Sequence, residues 1–139
     1  MQKAVTLKIE LPKIPDIELV ALEGLDRLAR HMGISAEKVG EARLIVTEAI
    51  INGLEHGGEI NPKVDVEFTM TKKELTIFVR DYGKGFEPSI VEQPDIQKKL
   101  GGASHKRGWG LQIMKSMSDD FRIDSNHGGT RITIKKILS

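Results

Sequence analysis

Two consecutive stretches of strict two-residue alternation constrain this chain most. Val64, Val66, Phe68 and Met70 alternate with Asp65, Glu67 and Thr69, and after Thr71-Lys72-Lys73-Glu74 the residues Leu75, Ile77 and Val79 alternate with Thr76, Phe78 and Arg80. Such a pattern puts one set of side chains on each face of a strand, so the pair predicts an antiparallel hairpin, half-buried on one face. Val5, Leu7, Ile9 and Leu11 alternate with Thr6, Lys8 and Glu10, predicting a further strand that Pro12 and Pro15 end. Phe121, Ile123 and Ser125 predict another, Asn126-His127-Gly128-Gly129 a turn, and Ile132 and Ile134 a last strand.

The remaining regular segments have helical spacing. Ile17, Ala21, Leu25, Leu28 and Met32 form a stripe that ends at about His31, with Asp16 suited to cap its start and Gly33 its end. Val39, Ala42, Ile45, Val46 and Ala49 form a second stripe, predicting a helix from a Ser35 cap to His56. A short third helix is expected from Gly110, with Leu111 and Met114 on one side. Between Phe86 and Arg107 the periodicity vanishes, and Pro88, Pro94, Gly101, Gly102 and Ser104 punctuate a segment whose weak helical patch lies around Asp95 to Leu100. A loop of that length inside a compact domain predicts a segment that is either functional or disordered.

At 139 residues the chain is expected to be one domain, 1–139, able to bury a core without staples. Its 21 Lys and Arg balance 20 Asp and Glu, which gives no argument for nucleic acid or an anionic membrane as partner. It has no Cys, no apolar run of bilayer length and no signal-peptide core at Met1-Gln2-Lys3-Ala4-Val5, so a cytoplasmic location is the expectation.

Chemistry concentrates in three places. On the second helix Glu48, Asn52 and His56 are spaced i, i+4, i+8 and stack along one side. An Asn oxygen can ligate Mg²⁺, a hard cation that needs few protein oxygens when it also holds phosphates. A Glu one turn away can orient or deprotonate an attacking group. His56 either packs the helix end or borders the site. Gly53 costs up to about 1 kcal/mol in a helix, explained by close approach of a ligand or backbone, or by fraying.

The second place is Asp81-Tyr82-Gly83-Lys84-Gly85, a carboxylate at a strand end followed by glycines that let the backbone approach a flat ligand. A buried Asp there accepts from an amine such as that of adenine and repels the guanine carbonyl; a solvated turn uses the same residues. The third is Lys106-Arg107-Gly108-Trp109-Gly110-Leu111, leading into a helix N-terminus. Free amides, the helix dipole and two cations suit phosphate oxygens there; an ordinary loop-to-helix junction with exposed cations uses the same residues. Trp109 either stacks on a ligand or packs. His31, His105 and His127 lack partners at metal-ligand spacing.

In this order and spacing the segments resemble the GHKL ATP-binding superfamily of gyrase-type topoisomerases, histidine kinases and mismatch-repair ATPases. Glu48-x-x-x-Asn52-x-x-x-His56 resembles its N box, Asp81-x-Gly83-x-Gly85 its first glycine box, Gly108-x-Gly110-Leu111 its second, and Gly129-Thr130 its late G-T element. The chain departs from the pattern in having Gly53 where a small Ala is usual and a second glycine after His56-Gly57. Within the superfamily it is most similar to the bacterial anti-sigma-factor serine/threonine kinases.

The resemblance implies an α/β (α+β) two-layer sandwich, with a mixed, largely antiparallel sheet, helices on one face and an ATP lid at about 86–107. It implies Glu48 as catalytic base and Asn52 as the metal ligand, with ATP and Mg²⁺ as cofactors. Asp81 would meet adenine, with Thr130 supporting the pocket. Gly83, Gly85, Lys106, Arg107, Gly108, Gly110 and Leu111 complete the nucleotide-binding set. The implied function is an ATP-dependent protein serine/threonine kinase that phosphorylates a protein antagonist, of the anti-anti-sigma kind, and binds a sigma factor or similar regulator. The alternative is a nucleotide-gated binding module without transfer activity; retention of Glu48 favours the kinase. A catalytic domain detached from a sensor histidine kinase is disfavoured, since no dimerisation helices carrying a phosphoacceptor His precede Met1. The edge of the N-terminal strand makes a homodimer an expectation.

Overall fold

The computed structural model describes residues 3–58, 62–83 and 105–139, with the backbone alone at 105–109. The described elements are β1 (Val5–Pro12), α1 (Glu18–His31), a 3-10 turn (Glu37–Val39), α2 (Gly40–His56), β2 (Lys63–Met70), β3 (Glu74–Asp81), α3 (His105–Met117), β4 (Asp120–Asn126) and β5 (Gly129–Ile137). The strands form one sheet in the order β1-β2-β3-β5-β4. Every described pairing is antiparallel, so the expectation of a mixed sheet is refined to an antiparallel one.

The register follows the alternation. Val66 pairs with Ile9 on one side and Val79 on the other, and Ile77 pairs with Phe68 and Ile134. Consequently Val64, Val66, Phe68, Met70, Leu75, Ile77, Val79, Ile132 and Ile134 all point to one face and are buried. The helices cover that face: Leu25 of α1, Ile45, Val46, Ala49 and Ile50 of α2 and Met114 of α3 are wholly buried with them. Each such Leu, Ile or Val contributes about 1.5–3 kcal/mol relative to exposure. The opposite sheet face carries the polar set, including a Thr6–Thr69 hydroxyl pair at 3.0 Å across β1 and β2.

Gly33 ends α1 as predicted. It takes φ 73°, Ile34 N–H reaches back to Ala29 O at 2.8 Å and Gly33 N–H to Arg30 O at 3.1 Å, a Schellman closure. Three boundaries differ from the sequence expectation. Asp16 has φ 63°, tolerated by Asp better than by most residues, and the N-cap position falls on Ile17, with no side-chain cap. The α2 helix begins at Gly40 rather than after a Ser35 cap, because Glu37–Val39 tighten into a 3-10 turn that buries Val39. Finally, α3 begins at His105, five residues earlier than Gly110, so Gly108 and Gly110 lie within the helix. The expected lid at 86–107 lies outside the described residues, apart from 105–107, which open α3; so does the weak helical patch at 95–100.

Among the described residues no helix is long and apolar enough to cross a membrane.

Candidate functional site

The site is built where the last turns of α2 lie over the ends of β2, β3 and β5. Gly53 permits that approach. A Cβ there would stand 3.1 Å from Val64 Cγ2 and 3.7 Å from Asp81 Cβ, so even one added carbon would require Val64 to give by a few tenths of an ångström. The neighbours are side chains of β2 and β3, where the sequence reading had weighed a ligand or backbone approaching Gly53 against fraying.

Asp81 is the last residue of β3 and is buried to 2% exposure. Its Oδ1 accepts from Gly83 N–H at 3.0 Å and from Thr130 N–H at 3.2 Å. Among the described residues no hydrogen bond goes to Oδ2, which leaves that oxygen for an outside donor. Burial pushes the carboxyl above its ordinary range, while the Gly83 and Thr130 amides and the His56 imidazole oppose the rise.

Two glycines make this arrangement sterically possible. A Cβ on Gly83 would fall 1.8 Å from the His56 carbonyl oxygen, and one on Gly129 would fall 2.1 Å from the Asp81 carbonyl oxygen. Gly129 also takes φ 128°, which L side chains avoid. Both contacts are with backbone, which cannot swing away. Thr130 is 2% exposed, and its hydroxyl lies 2.9 Å from that of Ser125 on β4. Ser125 therefore supports Thr130 from β4, a contact the sequence reading, which assigned Ser125 only to a strand, did not anticipate. The signal lay in the register: a two-residue turn at His127-Gly128 pairs Asn126 with Gly129 and Ser125 with Thr130.

Along α2 the spacing places Glu48, Asn52 and His56 as expected. Asn52 is 3% exposed, and its Nδ2 has no hydrogen-bond partner among the described residues. Leaving a buried amide end unmade costs about 1–3 kcal/mol, so a ligand group is the natural completion. The two amide ends exchange by a half-turn of the side chain, so the same position can present an oxygen. Glu48 is half-buried and faces α3, where a Cβ on Gly110 would meet its carboxylate. His56 is exposed at the end of α2; its backbone meets Gly83 and its imidazole acts on Asp81.

On α3, Leu111 is buried against the core, while Lys106, Arg107 and Gly108 occupy the first turn, which has no acidic residue. The amides left free there belong to the turn opened by His105, rather than to Gly110 and Leu111. Gly85, and the side chains of Lys106, Arg107 and Trp109, lie outside the described residues. Asp81, Gly83 and Thr130 converge; Asn52 lies on α2 beside Gly53, which stands over Asp81, and Glu48 lies one turn from Asn52.

Among the described residues no group of three or more His, Cys, Asp or Glu side chains could hold a metal by itself. A cation here would depend on few protein ligands and on its companion anion; the unpartnered Nδ2 is itself a donor, and the Asn52 side chain fits Mg²⁺ bound in that way once turned to present its oxygen.

The chain is similar to serine-protein kinase RsbW of Oceanobacillus iheyensis, 24% identical over 127 residues that cover 88% of this chain and 80% of that one. It is 29% identical to the anti-sigma F factor of Clostridium acetobutylicum over 117 residues, covering 78% and 76%. In fold it is similar to the blue-light activated histidine kinase EL346 of Erythrobacter litoralis, with TM-score 0.50 and 21% identity; 76% of this chain is covered but 32% of that longer protein. Residues 16–136 match the family described as the histidine kinase-like ATPase domain. The chain belongs to that family.

Proposed function

We propose that the chain is an ATP-dependent protein serine/threonine kinase of the anti-sigma type. In this reading it phosphorylates a protein antagonist and holds a sigma factor or similar regulator. The observation that carries it is the buried Asn52 side-chain nitrogen on α2, which has no hydrogen-bond partner among the described residues and lies one turn from Glu48. Family membership implies ATP binding, and the names of the curated relatives favour transfer to a serine and an anti-sigma role.

Asp81 Oδ2 accepts from the adenine amine, while Gly83 and Thr130 fix Oδ1 and thereby the angle of the carboxylate. Asn52 is the protein ligand of Mg²⁺, which supplies charge neutralisation along the phosphates when bound. Lys106, Arg107 and Gly108 meet the phosphates at the first turn of α3, Gly85 gives the loop room, and Leu111 anchors the helix beneath. Glu48 takes the proton of the attacking hydroxyl. As that oxygen bonds to the γ-phosphorus, the bond to the β–γ bridging oxygen breaks and ADP leaves with the electron pair.

Incubating the protein with Mg²⁺, γ-labelled ATP and candidate antagonist proteins tests the reading. Label on a partner Ser or Thr is the expected result. Tight ATP binding with no label on any partner would instead leave a nucleotide-gated binding module.

A further inference from the structure

Gly110 sits inside α3, where glycine is disfavoured by about 1 kcal/mol against alanine. No positive φ explains it, since Gly33 and Gly129 are the described glycines with that conformation. What stands over it does. A Cβ built on Gly110 would lie 2.9 Å from Glu48 Oε2 and 3.8 Å from the Glu48 carboxyl carbon, and outside its chain neighbours and its own helix backbone no other described group comes within 4 Å. The space is therefore kept free of backbone and of core side chains and is taken by one carboxylate. Gly53, Gly83 and Gly129 differ, because a Cβ at each would meet backbone or a packed Val.

We propose that Gly110 is a positioning residue for Glu48, its bare Cα forming the floor on which the carboxylate rests, facing the attacking group. The proposal rests on the reading of Glu48 as the base. It gives Gly110 a role other than admitting phosphate oxygens. The contact also makes a clean substitution available: in Gly110→Ala only the end of a flexible side chain must move, so the fold survives while Glu48 turns away. A base displaced by about 1 Å can lose about a hundred-fold in rate.

The test uses the full chain with Mg·ATP as probe and water as acceptor. ADP formation, Mg·ATP affinity and the carbon-13 signal of the Glu48 carboxyl are measured in wild type, Gly110→Ala, Glu48→Gln and the double variant. Gly110→Ala is expected to unfold at the same or a higher temperature and to bind Mg·ATP within about three-fold of wild type. Its ADP formation should fall about ten- to a hundred-fold, and its Glu48 signal should move. Added to Glu48→Gln, it should slow the reaction no further, because the group it positions is gone. Wild-type turnover in Gly110→Ala beside a dead Glu48→Gln would overturn the Gly110 role alone. So would an affinity loss equal to the rate loss, which places Gly110 on the phosphates, or an unmoved Glu48 signal. Full turnover in Glu48→Gln would overturn the base and, with it, this proposal.

Discussion

The two ends of the site are held by different means. At the Asp81 end the constraints are backbone: two amides fix one carboxylate oxygen, and two glycines bring chain against chain where no side chain fits. At the Glu48 end they are side chains on facing helices: a carboxylate over Gly110 and an amide without a partner among the described residues. The first is already fixed in orientation by backbone amides; among the described residues the second has a buried side-chain nitrogen still to satisfy. Recognition gains from rigidity, because a mismatched base then finds a fixed acceptor. Transfer needs groups that engage as the metal and phosphates arrive.

Substitutions can break this contrast, starting with the largest effect. Glu48→Gln keeps the shape and removes the proton acceptor, so phosphotransfer should fall about 10²–10⁴-fold while Mg·ATP affinity changes by less than about 1 kcal/mol, read by labelled transfer and calorimetry. Asp81→Asn puts a donor where the adenine amine also donates, and should cost about 2–4 kcal/mol, or roughly thirty- to a thousand-fold, in ATP affinity by calorimetry. Asn52→Leu should weaken Mg·ATP by about 1.5–3 kcal/mol, roughly ten- to a hundred-fold. The same change removes an orphan amide, so thermal unfolding without nucleotide should show a protein at least as stable as wild type. A destabilised Asn52→Leu would mean that the amide is already satisfied.

The smallest effect concerns pH. Asp81 is an acid whose folded-state value is raised by burial above about 3.9. Its folded form takes up a proton first, so the linked stability is present below the unfolded value and is lost as pH rises through the folded value. Asp81→Asn lacks that titration. Its melting temperature relative to wild type should therefore decline as pH is lowered from neutral toward the ordinary carboxylate range. Across the same window wild-type ATP affinity should drop, because a protonated Asp81 donates instead of accepting. A pH-independent difference in melting would show that Asp81 is not the buried titrating acid.

Much of this was legible from spacing. The i, i+4, i+8 placement on α2 follows from 3.6 residues per turn, and the β2–β3 register follows from the alternation. What periodicity cannot show is a helix held by its neighbours. His105-Lys106-Arg107-Gly108-Trp109-Gly110 has two glycines and no apolar stripe, yet it is helical; Leu111 and Met114 are buried further along, and α3 packs on α2. Ser125 went unread as a partner of Thr130 because a lone Ser in a strand carries no signal until the residue across the turn is known. The role of Gly53 needed Val64 and Asp81 to be placed beneath it.

The division of labour is tested most directly by the ratio of ATP to GTP affinity, measured by calorimetry with Mg²⁺ in wild type, Asp81→Asn and Glu48→Gln. The predicted result is a strong preference for ATP in wild type, the same preference in Glu48→Gln, and its collapse in Asp81→Asn. One ratio shared by all three proteins would contradict the assignment of recognition to the Asp81 end and of transfer to the Glu48 end.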